Sequence, residues 1–138
     1  LAYELIKKHL RENFILDGHP RNTEQIKHLE QDFEIDKVIY VEISEETAVK
    51  RLSARKQCTQ CGYIYGIDQG NEGEECQKCG GKIYTREDDY PEAIKRRIER
   101  YEKETRPVVD YYKEKGKVII INGEQSREKV FEDIKKAI

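Results

Sequence analysis

The sequence predicts an α/β fold with a parallel sheet, interrupted by a short metal-closed excursion. Two observations predict it. Apolar runs of strand length alternate with segments whose apolar residues recur at helical spacing, and strands separated by helices pair in parallel. Four cysteines, the only ones in the chain, stand as two tight pairs, Cys58-Thr59-Gln60-Cys61 and Cys76-Gln77-Lys78-Cys79.

The elements follow in order. Residues 1–10 read as the middle of a helix, with apolar positions 1, 2, 5, 6 and 10 and no capping residue in front. Asn13-Phe14-Ile15-Leu16-Asp17-Gly18 reads as a short buried strand that ends in an acid and a turn. Asn22 or Thr23 caps a helix whose inner face carries Ile26, Leu29 and Phe33. Lys37 to Ile43 is a second strand, and Ser44 caps the next helix, with Ala48, Val49 and Leu52 on its buried side. The cysteine segment runs from about Lys56 to Tyr84. Asp89 and Pro91 open a long polar helix with Ile94, Ile98 and Tyr101 inward. Pro107 removes a backbone donor, so a kink or break is expected near Thr105. The second half carries Val108, Val109, Tyr111 and Tyr112 and stops at Gly116. Val118-Ile119-Ile120-Ile121 is a fully buried third strand, Asn122-Gly123 turns, and Ser126 caps a last helix with Val130, Phe131, Ile134 and Ile138 inside.

Composition narrows the function classes. The 138 residues suit one domain with a moderate core. With 26 basic and 28 acidic residues the net charge is −2, which gives no general attraction to nucleic acid or membrane. No apolar stretch approaches the length of a membrane span. A charged fraction of 39% and mean hydropathy of −0.93, without an apolar leader, point to a cytoplasmic chain. Methionine is absent and the first helix is uncapped, so the chain is expected to be truncated at its start.

Two residues between cysteines let a tight turn aim both sulfurs at one ion, and the glycines that follow (Gly62, Gly80-Gly81) relieve the strain of that turn. The favoured reading is a structural zinc site on Cys58, Cys61, Cys76 and Cys79; four thiolates leave no open position for a substrate. Two disulfides would suit a secreted domain, and a redox pair would account for one CxxC rather than two.

Candidate chemistry lies elsewhere. An acid at a strand's carboxyl end, as Asp17 is expected to be, either holds magnesium or merely makes a turn. The run Asp17-Gly18-His19-Pro20-Arg21, with Gln25 one helical turn on, is more specific, because it gathers an acid, a restrained turn, a guanidinium and an amide. Arg51 and Arg55 share a helix face, where they either hold a polyphosphate or pair with Glu45 and Glu46 in solvent. Arg86, Asp88, Asp89 and Arg97 follow, one of the Lys95-Arg96-Arg97 run being expected to bind a ligand. Single arginines spread over several segments suit a converging anion site, the chief requirement of phosphoryl transfer.

In this order the motifs resemble adenylate kinase, specifically the bacterial form with a zinc-bearing lid. The resemblance covers nearly the whole chain: Phe14 to Arg21, Arg51 through Cys79 to Asp89, and Asn122-Gly123-Glu124-Gln125-Ser126. It implies a P-loop-kinase-like core at 1–55 and 86–138 around a lid at 56–85, a monomer in the full-length form, and the reaction ATP + AMP = 2 ADP with magnesium. By resemblance Gly18, His19, Pro20 and Arg21 line the AMP phosphate and ribose, Gln25 meets the AMP adenine, and Asp17 acts on the magnesium shell. Arg55 holds ATP, Arg51 flanks its adenine, Ile64 and Tyr65 touch ATP as the lid closes, and Gln125 meets the ATP adenine through its backbone. Arg86 and Arg97 clamp the moving phosphoryl group and its acceptor, while Asp88 and Asp89 orient arginines at the lid hinge.

Three departures from the family stand out. His19 replaces the usual phenylalanine and is expected to be a tolerated surface change, and Asn22 stands where threonine is common. No Gly-x-x-x-x-Gly-Lys-Ser/Thr loop is present, so the polypeptide by itself is expected to have little or no kinase activity. The competing classes are a zinc-ribbon module for nucleic acid and a non-catalytic nucleotide sensor. Against the former, the cysteine loop carries Asp68, Glu72, Glu74 and Glu75, which repel phosphate backbones.

Overall fold

Helices α1 (Ala2–His9) and α2 (Thr23–Asp32) precede strand β1 (Val38–Glu42), and α3 (Glu45–Ala54) precedes three short strands, β2 (Lys56–Cys58), β3 (Ile64–Tyr65) and β4 (Ile83–Tyr84). A 3-10 turn (Glu87–Asp89), α4 (Pro91–Arg100), a π-helical stretch (Tyr101–Thr105) and α5 (Arg106–Glu114) lead to β5 (Val118–Asn122) and α6 (Arg127–Ala137). The computed structural model describes residues 2–10, 12–67 and 69–138; Leu1 and Asp68, on which the sequence reading drew, lie outside them. The chain forms two compact units, Leu1–Glu42 with Arg100–Ile138, and Ile43–Glu99. Among the described residues no helix is long and apolar enough to cross a membrane.

In the first unit β1 and β5 run parallel, in register from Val38 opposite Val118 to Glu42 opposite Asn122. Helix α2 starts where the Asn22 side chain accepts the Gln25 N–H at 2.9 Å, one of the donors a helix start leaves without an internal partner. Its apolar spacing then points Ile26 at α5, where Val108 and Tyr112 complete a core flanked by Ile35, Val38, Tyr111 and Val118. Burying a side chain of this size contributes about 2 kcal/mol. The break expected near Thr105 is the π-helical stretch that ends just before Pro107, whose ring nitrogen can donate no hydrogen bond.

Several burial expectations fail in this unit, for one reason: an apolar run is buried only if a partner covers it. Residues 13–18 form no strand. Asn13 has φ 57°, outside the extended region, and among the described residues no ladder includes this segment, leaving Ile15 91% exposed. Strand β5 is not fully buried: among the described residues it pairs with β1 alone, and Ile120 remains 50% exposed while Ile121 is covered. On α6, Val130 and Ile134 are half-buried but Phe131 and Ile138 face outward, with the Lys135 ammonium 5.5 Å from the centre of the Phe131 ring.

In the second unit Ser44 caps α3 by accepting the Thr47 N–H at 3.1 Å. Ala48 and Leu52 are half-buried, but Val49, expected inside, is exposed. Strands β3, β2 and β4 form an antiparallel sheet in that order, Gln57 facing Ile64 on one side and Tyr84 on the other. Its core is Cys58, Tyr65, Cys76 and Ile83. The cysteine segment thus begins on the central strand of this sheet, at Lys56, and ends on an outer one, at Tyr84.

Candidate functional site

The two cysteine turns are built alike. In each, the glycine after the second cysteine donates its N–H back to the carbonyl of the first, Gly62 to Cys58 at 3.2 Å and Gly80 to Cys76 at 2.8 Å. Both glycines are left-handed, φ 69° and 73°, a conformation costly for a residue with a Cβ. The turns bring four Sγ atoms within 4.8 Å of one another. Cys58 and Cys79 sulfurs are 3.4 Å apart and those of Cys61 and Cys76 3.7 Å, too far for a disulfide. A tetrahedral ZnS4 centre with bonds of ~2.3 Å has sulfurs about 3.8 Å apart, so this donor set fits zinc.

The arginine sites expected on separate segments of the second unit come together around two aspartates. Asp89 is only 2% exposed. Arg55, at the end of α3, grips it as a fork, Nε donating to Oδ2 at 2.7 Å and Nη2 to Oδ1 at 2.6 Å. From α4, Arg97 Nη1 donates to Asp89 Oδ1 at 3.2 Å and to Asp88 Oδ2 at 3.1 Å. Arg86 makes a second fork on Asp88, at 2.8 and 3.0 Å. The hydrogen bonds from Arg86 hold the Asp88 carboxyl below the usual carboxylate range, against the opposing effect of its burial. Three guanidinium groups thus face two carboxylates, and each guanidinium has five N–H donors. The cluster keeps one positive charge in excess and donors for an anion. Arg51 lies one turn before Arg55 on α3.

In the first unit Gly18 to Gln25 forms a closed turn. Arg21 Nε donates to the Gly18 carbonyl at 2.7 Å, and the Arg21 N–H donates to Gln25 Oε1 at 2.6 Å. Gly18 has φ 75°, which favours glycine; a Cβ there would also stand 2.7 Å from the Arg21 guanidinium, the flexible end of a side chain that would have to shift. His19 is not a surface change. It is half-buried, its Nε2 has no hydrogen-bond partner, and burial pushes its pKa down, so the ring is neutral at pH 7. Asp17 is exposed beside this turn, with Pro20 half-buried in it. Gln125 donates from Nε2 to Asp133 on α6 at 2.6 Å, which holds its side chain toward that helix.

Within the hairpin, Ile64 is exposed whereas Tyr65 is turned into the cysteine cluster, so a contact from Tyr65 to a nucleotide falls to its backbone. Sequence reasoning missed two supporting hydroxyls. Tyr65 donates to Cys76 Sγ at 3.1 Å, and Thr105, at the end of the π-helical stretch, donates to the Arg21 carbonyl at 3.1 Å. Both carry faint signals: an aromatic close behind a CxxCG turn, and a hydroxyl residue two before a helix-breaking proline.

A family model described as adenylate kinase matches residues 1–117. The chain is 40% identical to an adenylate kinase of Petrotoga mobilis over 94% of its own length and 65% of the relative's. It is 38% identical to one from Caldanaerobacter subterraneus, covering 97% and 64%. To one from Lactobacillus acidophilus it is 45% identical, covering 91% and 61%. The chain therefore spans a little under two thirds of the length of these relatives.

Proposed function

Since this chain belongs to the adenylate kinase family, we propose that its parent protein transfers a phosphoryl group reversibly between nucleotides, ATP + AMP = 2 ADP, in the cytoplasm. The observation that carries this reading is the Arg55, Arg86 and Arg97 cluster, held by Asp88 and Asp89 with positive charge in excess. Phosphoryl transfer asks for preorganised positive charge rather than covalent chemistry, and a guanidinium fork fixed on a carboxylate needs little reorganisation when an anion arrives.

In this proposal the lid is 56–85 and the core 1–55 with 86–138. Arg55 and Arg51 hold ATP, with the exposed Ile64 and the backbones of Tyr65 and Gln125. Arg86 and Arg97 act on the transferring group and its acceptor, oriented by Asp88 and Asp89. Gly18, His19, Pro20, Arg21 and Gln25 form the AMP side. Asp17, an exposed oxygen donor, suits the hydrated shell of magnesium, a hard cation that neutralises the nucleotide's phosphates. Cys58, Cys61, Cys76 and Cys79 would hold zinc, whose contribution is rigidity.

The test is a coupled assay with ATP, AMP and magnesium on the full-length protein. Arg97→Ala is expected to lower turnover about 100-fold, a typical loss for a transition-state charge partner. A near-normal rate removes Arg97 from the site, and no turnover by the unaltered protein favours a nucleotide sensor.

A further inference from the structure

The two cysteine turns share a backbone but their buried sulfurs receive different support. In each turn the first cysteine accepts an N–H from two residues on: Gln60 donates to Cys58 Sγ and Lys78 to Cys76 Sγ, both at 3.4 Å. Cys76 receives in addition the Tyr65 hydroxyl, at 3.1 Å. That oxygen accepts the Gln77 N–H at 3.2 Å, so its acceptor side is occupied by the backbone of the same turn and its proton is left for the sulfur. The ring that carries it is fixed: Tyr65 is buried and packs edge-on against Tyr63, ring centres 4.9 Å apart.

Four thiolates around a divalent ion leave a net charge of −2, and two of the four, Cys58 and Cys76, are buried. Each hydrogen bond to sulfur disperses part of that charge and holds the ligand's direction. We infer that Tyr65 is a positioning residue of the metal centre, its hydroxyl orienting the Cys76 thiolate as a zinc ligand. This rests on the zinc reading above. It also ranks the ligands. Cys61 and Cys79 are exposed, Cys58 is buried with backbone support, and Cys76 is buried with backbone and phenol support.

The experiment compares the full chain with its Tyr65→Phe variant, which keeps the ring and removes only the hydroxyl. In competition with a chromophoric chelator the variant is expected to bind zinc about tenfold more weakly, the low end for loss of a partner behind a ligand. With cobalt(II) in place of zinc, its thiolate-to-metal charge-transfer band is expected to shift, a change that weaker packing alone does not produce. Tyr63→Phe should alter neither. Equal zinc affinity and an unshifted band overturn the role of Tyr65. If the variant fails to fold, the unaltered protein loaded with cadmium-113 decides: a slowly exchanging Tyr65 hydroxyl proton coupled to the metal supports the bond, and a freely exchanging, uncoupled one overturns it. An unaltered chain that takes up neither zinc nor cobalt removes the metal reading itself and Tyr65's role with it. That result is distinct from one in which only the variant comparison fails.

Discussion

The parallel strand unit and the cysteine hairpin each bury a cluster that includes a tyrosine, yet by different physics. Tyr112 sits among aliphatic and aromatic groups supplied by α2, α5, β1 and β5, whose burial is itself the stabilising term. Tyr65 sits among two sulfurs and Ile83, in a sheet whose strands are two or three residues long. So small a cluster cannot offset the ordering entropy of the residues between Lys56 and Tyr84. On the zinc reading, the contrast teaches that the hairpin's order would come from the ion its sulfurs hold, whereas the strand unit carries its own.

The largest expected effect exposes that difference. Removing the metal with a chelator, or Cys58→Ser, should abolish stoichiometric zinc binding and strip amide-exchange protection from residues 56–84, since a structural zinc contributes on the order of 10 kcal/mol to local folding. Amides of α2 and α5 should keep their protection. Equal loss in both units would break the comparison, and unchanged zinc content would refute the metal assignment.

The next effect tests whether the second unit has stability apart from its cysteine cluster. Asp89 is the buried charge that Arg55 and Arg97 share. Asp89→Asn keeps its shape but leaves the two guanidinium groups facing a neutral amide. The expected loss is about 3 kcal/mol, as when one partner of a buried pair is removed. Urea unfolding of zinc-loaded protein measures it, and a loss below 1 kcal/mol would mean that water screens the cluster.

A smaller effect lies in the strand unit. Thr105→Val removes the O–H donated to the Arg21 carbonyl, worth about 1 kcal/mol at most because the bond is exposed. Its sharper readout is the AMP-side turn: KM for AMP should rise while KM for ATP stays. Matching changes in both would place Thr105 outside the turn's support.

Much of this was legible in the sequence because the signals are local. The caps at Asn22, Ser44 and Ser126, the stop at Gly116 and the limits of the cysteine hairpin depend on neighbours within a few residues. Burial is not local. Phe14-Ile15-Leu16 and Val118 to Ile121 have the same apolar character, yet the latter is a strand because β1 lies beside it, and the former is not. The convergence of Arg55, Arg86 and Arg97 was expected only as a tendency. Asp89 as the point on which Arg55 and Arg97 meet is a tertiary fact, since its neighbour Asp88 reads the same in sequence but is half-exposed.

The smallest effect compares the two units in acid. In the second unit Asp88 is held below the usual carboxylate range by Arg86. In the first unit burial pushes Glu30 up, but hydrogen bonds from Tyr111 at 2.5 Å and Lys115 at 3.0 Å outweigh it and hold Glu30 low. A carboxyl whose folded value lies below its unfolded one stabilises fully above the unfolded value, about pH 4, and loses that contribution as pH falls through the folded value. Both units should therefore be indifferent to these groups from pH 5 to 8 and weaken below about pH 4. Acid also displaces zinc from thiolates, so the measurement is a difference. The unfolding free energy of Asp88→Asn, from urea titration, is subtracted from that of the unaltered chain at pH 7 and again at pH 3. The gap should be a few tenths of a kcal/mol at pH 7, as befits a half-exposed pair, and should vanish at pH 3. A gap that persists at pH 3 would mean that Asp88 acts through its shape and hydrogen bonding rather than its charge.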